Sequence, residues 1–123
     1  MATEQAHLRQ AQHNEQFLTT LDPAVTPYLD WAVTVIFYAA LHYIRALAAR
    51  HQFMNISRYG ELDRVFERLP VFRHNRAVYA DYRQLKDDSR AARYDMGVFS
   101  SEDVAGLRDE ELYRIRQFVL ANL

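Results

Sequence analysis

The sequence predicts an all-α protein, an up-and-down bundle of about five helices around a long central apolar helix, in a single domain of 123 residues. Three observations lead to this prediction. Residues 28–49 form a long apolar run with no glycine or internal proline. The other segments place apolar residues three and four positions apart, which is the spacing of an amphipathic helix. No segment shows the strict alternation of a half-buried strand.

The central helix is predicted to be covered on nearly all sides. Its apolar side chains point in every direction around a 3.6-residue turn, whereas a surface helix would keep one polar face. Thr26 is the predicted N-cap, and Pro27 occupies the first turn, where proline is tolerated. Asp30, His42 and Arg45 are the polar side chains that interrupt the run. A functional site on this helix would have to lie at these three positions.

The segments before and after the central run also have the spacing of helices. A first helix is predicted over residues 2–20, and two prolines in the sequence TLDPAVTP end it. After a connector at residues 52–58, a short third helix is predicted over residues 59–69. Pro70 ends that helix or begins a fourth, which is predicted to run through residues 71–94 with a charged outer face. We expect helices two and four to pack together at the centre.

The end of the chain contains the clearest loop and a final helix. The loop is residues 96–99, and Ser100 or Ser101 then caps the last helix. Glu102 and Asp103 lie in its first turn, where acidic side chains are stabilised by the helix dipole. The predicted buried face of this helix consists of Leu107, Leu112, Ile115, Phe118 and Val119.

Composition excludes several classes of site. The chain contains no cysteine, so neither a disulfide framework nor a thiolate metal site can form, and a reducing, cytoplasmic compartment is expected. With three glycines and no H-E-x-x-H motif, no phosphate-cradling loop or zinc helix is indicated, and we expect no cofactor and no metal. The start of the chain lacks a signal-peptide core. No membrane partner is expected, because the uncharged block at residues 31–41 is about half of what a span requires.

The charge balance is ordinary, but the choice of basic residue is not. A net charge of −1 provides no global field that would attract nucleic acid. Of the 15 basic residues only Lys86 is a lysine, which leaves 14 arginines. Two explanations stay open: the codon bias of a GC-rich genome, or the suitability of the guanidinium group for phosphate and RNA.

Two helix faces carry polar side chains that would meet if helices two and four are neighbours. Tyr38, His42 and Arg45 stand at i, i+4 and i+7 and so share one face of the central helix. Tyr82, Ser89 and Arg93 lie along one face of the fourth helix in the same way. Such a groove would offer cations, hydroxyls and an imidazole to an anionic ligand. The candidate ligand-binding residues are Tyr38, His42 and Arg45 on the central helix and Ser89, Arg90, Arg93 and Tyr94 on the fourth.

Each of these side chains also has a structural interpretation. Tyr38 and Tyr82 would pack in the core, and His42 would be a satisfied core or interface histidine. Arg93 would pair with a neighbouring acid such as Asp30. The two late arginines would then belong to a salt-bridge network instead of a ligand site.

The order of features along the chain resembles a known family. A short first helix with Ala6 and His7 leads to DWAVTVIFYAALHYIRAL at residues 30–47, and Y-x-x-L-x-x-x-S-R-x-A-R-Y follows at residues 82–94 before a closing helix. In this order the chain resembles the HEPN superfamily (higher eukaryotes and prokaryotes nucleotide-binding domains), particularly its small bacterial and archaeal members. The resemblance covers nearly the whole chain. It implies an α-helical bundle, frequently a homodimer, in toxin–antitoxin, defence or nucleotide-handling systems.

Many HEPN domains are RNases with an arginine followed four to six residues later by a histidine, and two copies meet to form one site. That spacing occurs here at Arg45 and His51 and at Arg68 and His74. With so many arginines, chance alone gives roughly 1.7 such matches. Neither match lies on the late helix where the family has its signature. That position is held by residues 89–94, and no histidine follows them.

The resemblance and the polar residues together predict a HEPN-like module of a toxin–antitoxin or defence system. It would bind a nucleotide, RNA or a protein partner such as a nucleotidyltransferase, with Arg90 and Arg93 holding phosphate. One alternative is a metal-independent endoribonuclease whose candidate catalytic residues are His42 and Arg93, with a composite site at a homodimer interface. The other is a purely structural scaffold. A homodimer is expected because four short neighbours would not easily cover the central helix.

Overall fold

The computed structural model describes residues 2–53 and 59–123, and within these ranges the chain is helical with no strand. The predicted all-α class is confirmed. Seven α-helices and one π-helical stretch follow one another in the described residues: α1 (Glu4–Leu18), α2 (Leu29–Arg50), α3 (Tyr59–Arg68), α4 (Pro70–Arg73), α5 (Arg76–Tyr94), α6 (Ser101–Gly106), the π-helical stretch (Leu107–Leu112) and α7 (Tyr113–Ala121).

Helix α2 is the core of the bundle, as the sequence predicts. Side chains on all sides of it are fully buried, because α1, α5, the π-helical stretch and α7 pack around it. Trp31 is an exception, since 58% of its surface is exposed at the start of the helix. The chain therefore covers most of α2 by itself, and a second copy is not needed for that purpose.

The length and composition of α2 would also allow it to cross a membrane. However, 72% of the most apolar 18-residue window of this helix is buried inside the bundle. A helix whose apolar surface is already covered by its own chain has little left to present to lipid.

The start of α2 differs from the prediction. The helix begins at Leu29, two residues after Pro27, and its N-cap is Tyr28 without a side-chain hydrogen bond. The Thr26 hydroxyl accepts a hydrogen bond from the Tyr28 amide and so caps a local turn instead of the helix. Thr26 lies two residues before the N-cap position, and a side chain at that position is the one that reaches the free amides of the first turn.

The predicted fourth helix is divided in two. Pro70 starts the single turn of α4, the chain bends at His74 and Asn75, and α5 begins at Arg76. The Asn75 side chain donates to the Val71 carbonyl at 2.7 Å, so it satisfies a group that a continuous helix would have bonded internally. The buried Phe72 packs against Phe66 of α3, which holds the bend in place. Most of the predicted connector, residues 54–58, lies outside the described residues.

The last helix has the predicted cap and an unpredicted irregularity. Ser100 and Asp103 form a capping box, each side chain bonding the other residue's backbone amide. Leu107 and Leu112 both lie in the core although they are five residues apart, a spacing that an α-helix would place on different sides. The π-helical turn between them, with bonds between residues five apart, brings both to the core. The spacing of five was visible in the sequence, but the π turn was not predicted.

Candidate functional site

The residues predicted to form one groove between α2 and α5 do not all share a surface. Ser89 is fully buried, whereas Arg90 and Tyr94 are exposed. The space between the two helices is filled by aromatic side chains, and the rings of Phe37 and Tyr82 lie 6.2 Å apart. The interface between α2 and α5 is therefore an aromatic core, and the predicted residues lie inside it or around its edges.

Two of the candidate residues do meet across these helices, although their pairing was not predicted. Arg93 donates to the Tyr38 hydroxyl at 2.7 Å and to the Ser89 carbonyl at 3.2 Å. Its guanidinium also lies over the rings of Tyr38 and Tyr94, with its central carbon 5.5 and 5.2 Å from the ring centroids. Arg93 and Tyr38 thus tie the end of α5 to the middle of α2. The suggested acid partner, Asp30, is exposed at the other end of α2.

The remaining predicted residues of α2 lie beside α1. The Nδ1 atoms of His42 and His7 are 3.1 Å apart, and their ring centroids are 5.3 Å apart. Arg45 lies one turn further along α2 and is close enough to lower the pKa of both histidines. We call His7, His42 and Arg45 the α1–α2 cluster.

Sequence reasoning missed His7 as a site residue. Glu4, His7, Ala11, Glu15 and Leu18 stand three or four residues apart on α1 and so share one face. That face packs on α2, because Ala11 and Leu18 are buried while Glu4 pairs with Arg50 at 3.2 Å. The position of His7 on this face was the available signal for its contact with α2.

Burial and charge keep both imidazoles neutral at pH 7. Burial lowers the pKa of His7, and the Arg45 guanidinium lowers it further. Burial, followed by His7 and then by Arg45, lowers the pKa of His42 to about 4. In a contact between two neutral imidazoles one Nδ1 must donate and the other must accept, so the two rings hold complementary tautomers.

Arg45 is the unusual member of the cluster. Its Nε is buried and has no hydrogen-bond partner among the described residues. The two acids on the facing side of α1 are already engaged: Glu4 binds Arg50, and Glu15 binds Tyr43 and Arg116. A guanidinium that lacks both a carboxylate and a hydrogen-bond acceptor is uncommon in a partly buried position.

The chemistry of the cluster suits an anion better than a metal. Two imidazoles are fewer ligands than a structural or catalytic zinc site uses. Among the residues that the structure describes, no group of three His, Asp or Glu side chains is placed to hold a metal ion. The guanidinium would also repel a cation, whereas it would attract phosphate or carboxylate.

A second charged feature lies on the outer face of α5. Arg76, Arg83 and Arg90 stand seven residues apart, about 10 Å along the helix, and all are exposed. The Tyr79 ring lies between the first two, with their guanidinium carbons 5.2 and 5.9 Å from its centroid. Asp87 interrupts the row and lowers its net charge. We call these three arginines and Tyr79 the α5 strip.

Comparison of the chain with protein-family models, with curated proteins and with solved structures finds no match in any of the three. The class of protein is therefore defined by its geometry: an all-α bundle with an imidazole–guanidinium cluster between its first two helices. Membership of the HEPN superfamily stays a prediction.

Proposed function

We propose that this bundle is a HEPN-like module that binds phosphate groups of RNA or a nucleotide, and that the α1–α2 cluster is where it does so. The observation on which this rests is the Nε of Arg45, which is buried and has no acceptor among the described residues. A phosphate oxygen would supply the missing acceptor with a charge-assisted hydrogen bond. The toxin–antitoxin or defence role, a nucleotidyltransferase-type partner and a cytoplasmic location follow from the resemblance and remain predictions.

The neighbouring histidines fit the same ligand. The ring whose Nδ1 accepts in the His7–His42 contact carries its proton on Nε2 and can donate it to a phosphate oxygen. The ring whose Nδ1 donates has a bare Nε2, which can accept from a ribose hydroxyl. An anion would also stabilise the charged form of the imidazoles, and so would raise the lowered pKa of His42. Binding is therefore expected to strengthen as the pH falls from 7 toward 5.

The α5 strip favours a chain of phosphates over a single one. Arginines that have no acid partner and flank an aromatic ring are the usual means of following a nucleic-acid backbone. Arg76, Arg83 and Arg90 form no ion pair with another described residue. In this proposal Arg45 binds phosphate at the α1–α2 cluster and Arg90 contacts phosphate on the separate surface of the α5 strip, whereas Arg93 supports the bundle through Tyr38.

Metal-independent RNA cleavage is a second candidate, and the paired imidazoles are the observation that favours it. One neutral imidazole would take the proton from the ribose 2′-hydroxyl, which attacks phosphorus while the bond to the 5′-oxygen breaks. The partner would have to be protonated first, which the bound phosphate favours because it raises the lowered pKa of the imidazole. As an imidazolium it would give its proton to that leaving oxygen, and Arg45 would stabilise the charge on phosphate. The products would be a 2′,3′-cyclic phosphate and a free 5′-hydroxyl.

The decisive experiment measures binding and cleavage of labelled single-stranded RNA in EDTA. Arg45→Gln is expected to weaken binding roughly tenfold at constant salt, because it removes one charge-assisted contact. Arg50→Gln is the matched control, since it removes the same charge from the same helix at a position already paired with Glu4. Equal losses in the two variants would mean that only overall charge matters and would overturn the site.

The same reactions test the enzyme. Cleavage that His7→Gln and His42→Gln each abolish would establish the RNase. RNA that is bound by the wild type but stays intact would refute cleavage and leave a binding module. If wild-type protein neither binds nor cleaves, the proposed function is wrong.

A homodimer also remains a proposal, although the chain covers most of α2 without a second copy. What supports it is a group of exposed aromatic side chains where α1 ends and α2 begins: Phe17, Tyr28 and Trp31. Burying such side chains against a second copy would remove apolar surface from water. Light scattering should give twice the mass of 14.5 kDa, and Trp31→Glu should return the monomer. A wild-type monomer at high concentration would contradict the proposal.

A further inference from the structure

A second site lies away from the α1–α2 cluster, in an open groove between the end of α1 and the π-helical stretch. Its volume is about 770 Å³, which is within the range of small-molecule sites. The buried side chain of Leu18 and the half-exposed ring of Tyr113 provide its apolar surface. The groove is lined by Glu15, Leu18, Thr19, Asp22, Arg108, Asp109, Tyr113 and Arg116.

The π-helical turn shapes one wall of this groove. Arg108 and Tyr113 are five residues apart, so an α-helix would turn them well away from each other. The wider π turn brings residues five apart to the same side, and both line the groove. Isolated π turns of this kind occur frequently at functional sites. The irregularity that lets Leu107 and Leu112 share the core therefore also builds the groove.

The two walls of the groove carry opposite charges. Glu15 and Asp22 lie on the α1 side, and Arg108 and Arg116 lie on the other. Arg116 reaches across to Glu15, whereas Arg108 binds its own neighbour Asp109 through two hydrogen bonds of 2.7 and 3.0 Å. Asp109 raises the pKa of Arg108, and Asp22 adds to this without forming an ion pair. Asp22 and Arg108 thus line the same groove without an ion pair between them.

This arrangement selects the kind of ligand. A simple anion would meet three carboxylates, and a simple cation would meet two guanidiniums. The N–H groups of Arg108 that Asp109 does not engage can donate to the anionic end of a molecule with both charges, and Asp22 can pair with its cationic end. We propose that the groove binds a zwitterion, namely a free α-amino acid whose apolar or aromatic side chain packs on Tyr113 and Leu18.

This site is independent of the phosphate site, and its test uses a different ligand. The protein is labelled with ¹⁵N and titrated with L-phenylalanine, with N-acetyl-L-phenylalanine and with L-phenylalanine amide. The free amino acid is expected to shift the backbone amides of residues 15–22 and 106–116. The other two compounds each lack one of the charges, so they are expected to bind roughly tenfold more weakly.

Matched variants separate the site from general charge effects. Arg108→Gln and Asp22→Asn should each weaken binding of the amino acid roughly tenfold, since each removes one charge partner. Asp22→Asn keeps the oxygen that accepts from the Ala24 amide, so the local turn is retained. Arg73→Gln at the exposed end of α4 and Asp87→Asn on the exposed face of α5 should leave binding unchanged.

Three results would overturn the proposal. The first is the absence of amide shifts at about 10 mM amino acid. The second is that the derivatives that lack one charge bind as tightly as the free amino acid. The third is that the two control variants lose as much affinity for the amino acid as the site variants do. None of them bears on RNA binding at His7, His42 and Arg45, which is measured separately.

Discussion

The two sides of α2 use their polar residues in different ways. On the α5 side, aromatic rings fill the interface and Arg93 is bonded to Tyr38 and to the Ser89 carbonyl. On the α1 side, two imidazoles face each other and Arg45 has a buried Nε without an acceptor in the described chain. The comparison indicates that the α5 side mainly stabilises the bundle, with the buried Ser89 hydroxyl, which has no partner in the described chain, as an exception. The α1 side holds a charged group at a cost in stability. Polar groups kept at such a cost are expected where a ligand binds.

The largest loss of stability should come from a substitution in the aromatic core on the α5 side. Phe37→Ala removes a fully buried ring that packs against Tyr82, and it should destabilise the protein by about 3–5 kcal/mol through lost burial and the cavity left behind. Trp31→Ala, on the exposed start of the same helix, should cost less than about 1 kcal/mol. Urea unfolding measures both. Similar losses in the two variants would contradict the assignment of the core to this side.

The α1 side should make stability depend on pH. The pKa of His42 in the folded protein is about 4, below its ordinary value of 6.5, so the unfolded chain takes up a proton first as the pH falls. Stability is therefore complete above about pH 6.5 and is lost progressively toward pH 4. The loss from His42 should be about 1–2 kcal/mol, a figure reduced from the full shift because the ring is partly exposed to screening water.

Urea unfolding between about pH 7.5 and 4.5 measures this loss. His42→Gln should flatten the dependence, whereas His74→Gln, which changes an exposed histidine at the end of α4, should not. An unchanged slope in His42→Gln would mean that the imidazole titrates normally in the folded protein.

Substituting one arginine on each side of α2 tests directly whether the two sides contribute differently to stability. Arg93→Met should destabilise the protein by about 1–2 kcal/mol, because it removes hydrogen bonds to the Tyr38 hydroxyl and the Ser89 carbonyl. Arg45→Met should leave stability within about 0.5 kcal/mol of wild type or raise it, since the buried Nε loses no partner. Thermal and urea unfolding of both variants provide the measurement. A greater loss in Arg45→Met would show that this arginine is structural.

The smallest expected change is a gain in stability, from a substitution at Ser89. Ser89 is fully buried, and its hydroxyl has no hydrogen-bond partner among the described residues. Ser89→Ala should therefore raise the free energy of unfolding by up to about 1 kcal/mol, because an unsatisfied polar atom is removed from the core. Ser89→Thr serves as the control, since it keeps the hydroxyl and adds a methyl group where no space remains. A loss of stability in Ser89→Ala would mean that the hydroxyl has a partner.

Part of the candidate site could be predicted from the sequence. His42 and Arg45 were recognised because polar side chains stand out in the apolar run of α2. The packing of α2 against α5 was also expected, but the hydrogen bond between Tyr38 and Arg93 was not. Ser89 could not be assigned correctly, because a serine at a helical spacing fits a groove and a closed core equally well. His7 was missed as a site residue because α1 is polar over most of its surface and its buried face is narrow.

The sequence by itself determined the helical class, the central position of α2 and a serine cap at residue 100 or 101, since these depend on local spacing, proline and side-chain capping. Only the tertiary structure decided which polar side chains meet. His7 and His42 are 35 residues apart in the chain, and their contact depends on how α1 is rotated against α2. Apolar periodicity sets that rotation only to within one face of a helix, which is too coarse to decide whether His42 turns toward α5 or toward α1. The same limit hid the π turn, because the core and not the local sequence required Leu107 and Leu112 to lie side by side.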